Sequence, residues 1–365
     1  MPTATNENPP ADSAPAGKAS AGGAPAGFVT AQILDRTALT PAVEQFQLRV
    51  AASEGAESGP GFEAGSHLEL LLPLGGDETD GTQPGDAQEV RHYSICTAED
   101  GCFTIAVLRE DEGRGGSLWM HERAAVGGEV LVRGPRNTFP FKPEGAVYFI
   151  AGGIGITPFL SMIAEAEQRG IDWHLLYLGR SGESMAFADE LLAHGDRVTL
   201  WPSAERGRAD LGETIAKLPH DTLIYACGPN TMQQALRTAS AETGHVIVIE
   251  DFDSGKVADP EAAAGSAEAG GSEYARPSLP FTVELGDGTE IDVPADKTIL
   301  DALNDAGMRA LSSCRRGTCG TCETVILEGE ADHRDSVLSD EEKEANEVMM
   351  ICVSRACGDR IVLDL

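Results

Sequence analysis

The chain has 365 residues, 41% of them hydrophobic, which is enough for two or three domains rather than one. Its 59 acidic and 27 basic side chains leave a formal net charge of -32, a field that repels nucleic acid and anionic membranes alike. No apolar run approaches the roughly 20 residues of a bilayer-spanning helix, and no charged segment followed by an apolar core opens the chain, which argues for a cytoplasmic protein.

Residues 1–27 are Ala, Pro, Gly and Ser with little to bury, the composition of a disordered tail. From residue 28 to 142, short alternating runs such as "HLELLL", "RHYSIC", "FTIAVL" and "EVLVRG" are divided by Gly, Pro and acidic turns, and predict an antiparallel β-barrel. In "RHYSICT", strand alternation sends Arg91 and Tyr93 to one face and Ser94 to the other. One helix, "GSLWMHERA", interrupts the strands. Gly115, Gly116 and Ser117 stand at its start, where free amides and the helix dipole suit a phosphate, although Ser117 also reads as a plain N-cap.

From 143 to 252, apolar runs alternate with helical stretches, which predicts an α/β domain with a parallel sheet covered on both faces. "AGGIGITPFLSMI" passes from strand end to helix. Its Gly152, Gly153 and Gly155 let backbone approach a pyrophosphate, or simply make a tight turn, and Pro158 suits the first helical turn. A second junction of this kind, "YACGPNTM", carries Cys227, Gly228 and Pro229; two ligand-facing turns at strand ends are what an open α/β sheet uses for a dinucleotide. "YLGRSGESMAF" follows the second strand, where an acidic residue favours a free ribose and arginine a 2'-phosphate. Arg180 and Ser181 leave that choice open.

Residues 253–278 have the composition of a linker and cut off a C-terminal domain, 279–365. There "FTVELGDGTEIDV" reads as a hairpin around Asp287-Gly288 and "TILDALNDAGM" as a capped helix. Cys314, Cys319 and Cys322 follow with the spacing C-x4-C-x2-C, and Cys352 comes 29 intervening residues later. That is the ligand pattern of plant-type [2Fe-2S] clusters. The competing four-cysteine zinc site uses two CxxC pairs, of which only one exists here. Cys357 competes with Cys352 as fourth ligand but lacks the spacing, while Cys96 and Cys102 read as small buried hydrophobes.

R-x-Y-S with a downstream Gly-Gly-Ser helix start resembles the flavin domain of the ferredoxin reductase superfamily, and G-G-x-G-x-T-P with C-G-P resembles its NAD(P) domain. The C-terminal segment resembles a plant-type ferredoxin, an α+β (β-grasp) fold. Flavin barrel, nucleotide domain and then ferredoxin is the order of the phthalate dioxygenase reductase family, which includes vanillate demethylase reductases. The resemblance covers residues 28 to 365.

By that resemblance Arg91 meets the flavin phosphate with Gly115, Gly116 and Ser117, Tyr93 the ring or ribityl chain, and His92 belongs to the same motif. Ser94 lies beside the isoalloxazine, Thr157 approaches it, and Phe252 packs against it. Cys227 lies near the nicotinamide where hydride leaves, so Ser94 and Cys227 are the catalytic candidates. The resemblance further implies NADH as donor, FMN rather than FAD from the domain order, a monomer, and a Rieske-type oxygenase component or a cytochrome P450 as acceptor. A non-catalytic flavin and iron–sulfur redox sensor is the alternative. Arg315 and Arg316 beside the cluster, and ten acidic against two basic residues between 323 and 350, offer either a docking face or a solvated surface.

Overall fold

In a computed structural model, which describes residues 27–50, 61–74, 88–250, 278–308 and 310–365, the first strands close into a barrel. These are β1 (Val29–Thr40), β2 (Val43–Val50), β3 (His67–Pro73), β4 (Gln88–Glu99), β5 (Cys102–Leu108) and β6 (Glu129–Arg136), in the order β1-β2-β5-β4-β3-β6. Alternation fills the interior: Phe46 and Leu48 of β2, Leu68, Leu70 and Leu72 of β3, and Phe103 and Ile105 of β5 share one core. Strand β3 is buried on its outer face too, at His67, Glu69 and Leu71. That is why "HLELLL" departs from clean alternation.

The next sheet is wholly parallel: β7 (Val147–Gly152), β8 (Trp173–Gly179), β9 (Val198–Pro202), β10 (Leu223–Cys227) and β11 (Ile247–Glu250), in the order β11-β10-β7-β8-β9. Phe149, Leu175 and Tyr225 pack with Phe159, Met162 and Ile163 of the helix Thr157–Arg169. Their strand neighbours Ile150, Leu176 and Ile224 pack on the other face with Met232, Leu236 and Ala239 of the helix Asn230–Thr243. The first of these cores runs on into the barrel, taking in Val43, Cys96, Ala106, Phe139 and Phe141.

The C-terminal domain has its own core and a mixed sheet. Its strands β12 (Phe281–Leu285), β13 (Glu290–Val293), β14 (Glu323–Glu328), β16 (Val348–Met350) and β18 (Arg360–Leu363) lie in the order β13-β12-β18-β14-β16; β15 (Ala331–Asp332) pairs with β17 (Arg355–Ala356). Thr298 caps the helix Ile299–Asp305, its hydroxyl accepting from the Asp301 amide at 3.1 Å. The multidomain architecture expected from the sequence is therefore present.

The tail, apart from Gly27, the linker, apart from Ser278, and Phe252 lie outside the described residues. Among the described residues no helix is long and apolar enough to cross a membrane. Two local expectations fail. Ser117 is not the N-cap of the helix Gly116–Arg123, because Gly115 takes that place at φ 81°, and the Ser117 hydroxyl instead accepts from the Glu110 amide at 3.1 Å. Cys102 is only half-buried, standing at the turn end of its hairpin, whereas Cys96 is fully buried.

Candidate functional site

The four cysteines of the spacing motif are all buried and come together. The thiol of Cys314 hydrogen-bonds with those of Cys319 and Cys352, and Cys352 in turn with Cys322. The amides of Arg316 and Thr318 each donate to Cys314 Sγ at 3.4 Å. The hydrogen bonds from Cys319 and Cys352, reinforced by these amides, favour the thiolate at Cys314, and the same bonds favour the protonated thiol at Cys319 and Cys352. Among the described residues, the group with three ligand atoms mutually within 4.8 Å is His67, Glu69 and His92, not three of these cysteines. Cys357 stands in a bend just past β17, half-buried, its amide donating to Glu330 O at 2.8 Å.

A cavity of about 1480 Å³ opens where the three domains meet. Arg91, His92, Tyr93 and Ser94 line it from β4, Gly116 and Ser117 from the helix start, and Cys314 and Cys319 from the cluster loop. Arg91 is pinned by Glu89 at 2.7 Å and by the carbonyl of Arg114 at 2.8 Å. Its side chain lies so close to Gly116 that a Cβ there would stand 2.7 Å away. A guanidinium and a helix N-terminus thus share one corner, which suits a phosphate.

Two buried polar atoms on this wall, Ser94 Oγ and His67 Nε2, have no hydrogen-bond partner among the described residues, and their residues are directly paired across β3 and β4. Buried polar groups are ordinarily satisfied, so the pair calls for a ligand with polar edges between apolar walls. A flavin ring fits that description.

The nucleotide turns sit on the same cavity. The chain leaves β7 towards β8 and β9 on one side and reaches β10 and β11 on the other, so the ends of β7 and β10 form the sheet's switch point. Gly152, Gly153, Gly155 and Thr157 line the cavity from the first turn, and Gly228 and Pro229 from the second. The two turns touch: a Cβ on Gly155 would stand 2.3 Å from the Cys227 carbonyl oxygen. Gly115, Cys227, Arg180 and Ser181 are outside the lining. Cys227 is buried just behind the second turn, and Arg180 and Ser181 are beyond the end of β8.

Three lining or adjoining residues were not singled out from the sequence. Glu250 lines the cavity, and its Oε2 is buried without a partner among the described residues; burial pushes its carboxyl up to about 8. Its only signal was an acidic residue closing an otherwise apolar strand. His67 and Glu69 carried a clearer one, two polar side chains on one face of "HLELLL".

Burial alone would raise the Glu69 carboxyl, but hydrogen bonds from His92 and Arg133 and the charges of both outweigh it and hold it well below the usual carboxylate range. Burial, with the nearby His92, pushes His67 down to about 3. Its folded pKa lies below the unfolded value of 6.5, so across that window the unfolded chain binds a proton that the folded one does not, and stability rises with pH. Glu69 contributes its own acid loss only below its ordinary value of 4.5. Between about pH 5 and 6.5 the slope therefore contains His67, worth about 2 kcal/mol at most. The raised Glu250 carboxyl gives a slope of opposite sign over the same window in both proteins, so His67→Gln is expected to lower the stability gained from pH 5 to 6.5 by up to about 2 kcal/mol relative to the unsubstituted protein, measured as urea midpoints at the two pH values.

A family described as "2Fe-2S iron-sulfur cluster binding domain" matches residues 283–357, and one described as "Oxidoreductase NAD-binding domain" matches residues 149–238. The carnitine monooxygenase reductase subunit of Escherichia coli (strain K12) is 37% identical over 341 residues, 92% of this chain and 97% of that protein. The solved structure of phthalate dioxygenase reductase, described as modular for electron transfer from pyridine nucleotides to [2Fe-2S], superposes with a TM-score of 0.58. It is 34% identical, and the match covers 93% of this chain and 98% of that one. An intact type IV self-sufficient cytochrome P450 monooxygenase superposes with a TM-score of 0.68 at 35% identity; the match covers 93% of this chain but spans only 41% of that longer one.

The cavity, the two nucleotide turns and the four cysteines fit FMN, NADH and a [2Fe-2S] cluster in turn. With an interdomain cavity, a dinucleotide switch point and a four-thiol group meeting at one place, the chain belongs to the phthalate dioxygenase reductase family, the NADH-dependent reductase components of oxygenase systems.

Proposed function

We propose that this protein draws electrons from NADH and delivers them to the Rieske-type terminal oxygenase component of an aromatic dioxygenase or O-demethylase system. The observation that carries the reading is that one cavity is lined by the R-x-Y-S strand, both glycine turns and the cluster loop. When bound, FMN accepts a hydride, two electrons and a proton, from NADH, which leaves as NAD+, and the cluster takes those electrons one at a time.

The chain's own groups position these partners. Arg91 and the amides at Gly116 and Ser117 hold the flavin phosphate, and Tyr93 lies along the flavin. Ser94 and Thr157 contact its ring, and Phe252 is assigned to the flavin by the family resemblance alone. Gly152, Gly153 and Gly155 with Gly228 and Pro229 seat the dinucleotide, Cys227 shapes the nicotinamide end, and Arg180 and Ser181 meet the adenine ribose. Cys314, Cys319, Cys322 and Cys352 hold the irons.

In this reading residues 28–142, 143–252 and 279–365 are the three working domains, joined at 253–278. The protein works as a monomer in the cytoplasm, a compartment consistent with eight cysteines of which none is in a disulfide. A second reading, a cytochrome P450 as acceptor, is favoured by the likeness to the self-sufficient P450 monooxygenase.

The test is the anaerobic visible spectrum of the purified protein before and after NADH, and separately NADPH. Flavin and iron–sulfur bands that bleach with NADH are the expected result. A coloured protein that neither nucleotide bleaches would instead make it a redox sensor.

A further inference from the structure

The two junctions of the barrel with its neighbours are built differently. Towards the nucleotide domain the barrel shares a continuous apolar core. Towards the cluster domain the apolar contact among the described residues is small, Leu311 against Phe28, Leu71 and Val90. The rest is polar. Arg114 Nη1 donates to Ser313 O at 3.2 Å, and Arg136 approaches Glu323 at 3.9 Å.

The tightest of these contacts is centred on Thr321, which stands between the ligands Cys319 and Cys322. Its hydroxyl donates to Glu69 Oε1 at 2.8 Å and lies 2.8 Å from His92 Nε2, both in the barrel. Glu69 is fully buried, held by Arg133 from behind and stationed 4.0 Å from Arg136. His92 is stacked on His67, ring centroids 4.7 Å apart, and His67 lines the cavity. The trio His67, Glu69 and His92 is not arranged as a cation site, because its one carboxylate already meets two guanidinium groups and its imidazoles lie face to face.

We propose that Glu69 and His92, acting through the Thr321 hydroxyl, are positioning residues that latch the cysteine loop onto the barrel and so fix the cluster domain in its electron-accepting pose. A buried carboxylate and an imidazole converging on one hydroxyl give a directional contact where shape alone does not. Charge-assisted hydrogen bonds of this kind are the stronger class, and their loss is felt because the partners left behind are buried. Thr321 carries the message because the loop it belongs to is the one that holds the irons, two residues from Cys319 and one from Cys322.

The experiment uses the full-length holoprotein and Thr321→Val, which keeps the shape and removes the hydroxyl, with Thr321→Ser as rescue. Hydrogen exchange of the backbone amides at 313–321 is expected to quicken at least about tenfold in the valine variant and return in the serine variant. In anaerobic stopped flow, bleaching of the flavin by NADH is expected to keep its rate while the following reduction of the cluster slows about tenfold or more. His92→Phe, which preserves the stack on His67 and touches no ligand, is expected to quicken exchange at 313–321 in the same direction.

Unchanged exchange in both Thr321→Val and His92→Phe would overturn the latch, as would slower cluster reduction with exchange unchanged, which would mean a local effect on the cluster. Quickened exchange with an undiminished second phase would overturn the positioning role. The kinetic arm rests on the reductase reading. If the unsubstituted protein does not bleach with NADH, that reading fails by itself and the exchange comparison still decides the latch.

Discussion

Cys352→Ala is expected to give a protein that keeps its yellow flavin colour and its NADH-to-ferricyanide activity but loses the iron–sulfur absorption and the ability to reduce a one-electron protein acceptor. Cys352 is the thiol that closes the set, hydrogen-bonded to both Cys314 and Cys322 and reached only by the return of the chain at β16. An outer-shell partner of a metal costs about 10–100-fold in affinity when removed, and a ligand costs more. Iron content and the visible spectrum measure it. Cys357→Ala is the control, expected to retain both iron and colour, because Cys357 follows β17 and lacks the spacing of the ligand set.

Gly155→Ala is expected to damage the nucleotide end as severely while leaving the cluster intact. The new methyl would stand 2.3 Å from the Cys227 carbonyl oxygen, 2.5 Å from its carbon and 2.9 Å from the Gly228 nitrogen, all main-chain atoms. No side-chain rotation relieves such an overlap, so the two turns must part. Overpacking of this kind costs about 1–3 kcal/mol of stability. Displacing a reacting group by about 1 Å costs on the order of 10²-fold in rate, so NADH-driven bleaching is expected to slow by about that factor. Gly182→Ala, where nothing lies within 4 Å of the added carbon, is expected to leave the rate of bleaching unchanged. A variant at Gly155 that bleached at the ordinary rate would remove the switch point from the hydride path.

These two sites were legible in the sequence for a common reason. The three-cysteine loop and each glycine turn are local, written within about a dozen consecutive residues whose geometry follows from chain stiffness and the absence of side chains. The parallel sheet was legible from apolar runs alternating with helical stretches, and those runs are continuously apolar because Phe149 and Ile150 belong to different cores. What was not legible is what depends on distant pairs. Thr321 meets Glu69 across 252 positions, and nothing about a threonine between two cysteines announces a carboxylate in a barrel strand. Glu250 was missed because its burial without a partner among the described residues arises only when the ends of β10 and β11 are brought beside the cavity. Ser117 misled in the opposite direction: the residue type suits a cap, but a glycine at positive φ two residues earlier already begins the helix.

Strand β18 gives the cluster domain an unusual vulnerability. It lies mid-sheet, parallel to β12 through Val283 and Ile361 and antiparallel to β14 through Ile326 and Leu363, and both Ile361 and Leu363 are fully buried. A chain cut after Cys357 would retain every sulfur that binds iron and lose the strand that joins the two halves of the sheet. Ligands and frame are therefore separate genetic targets. A nonsense or frameshift change just ahead of codons 360–363 is as disabling as the loss of a cysteine, although an inspection of the ligand set alone would pass it as intact.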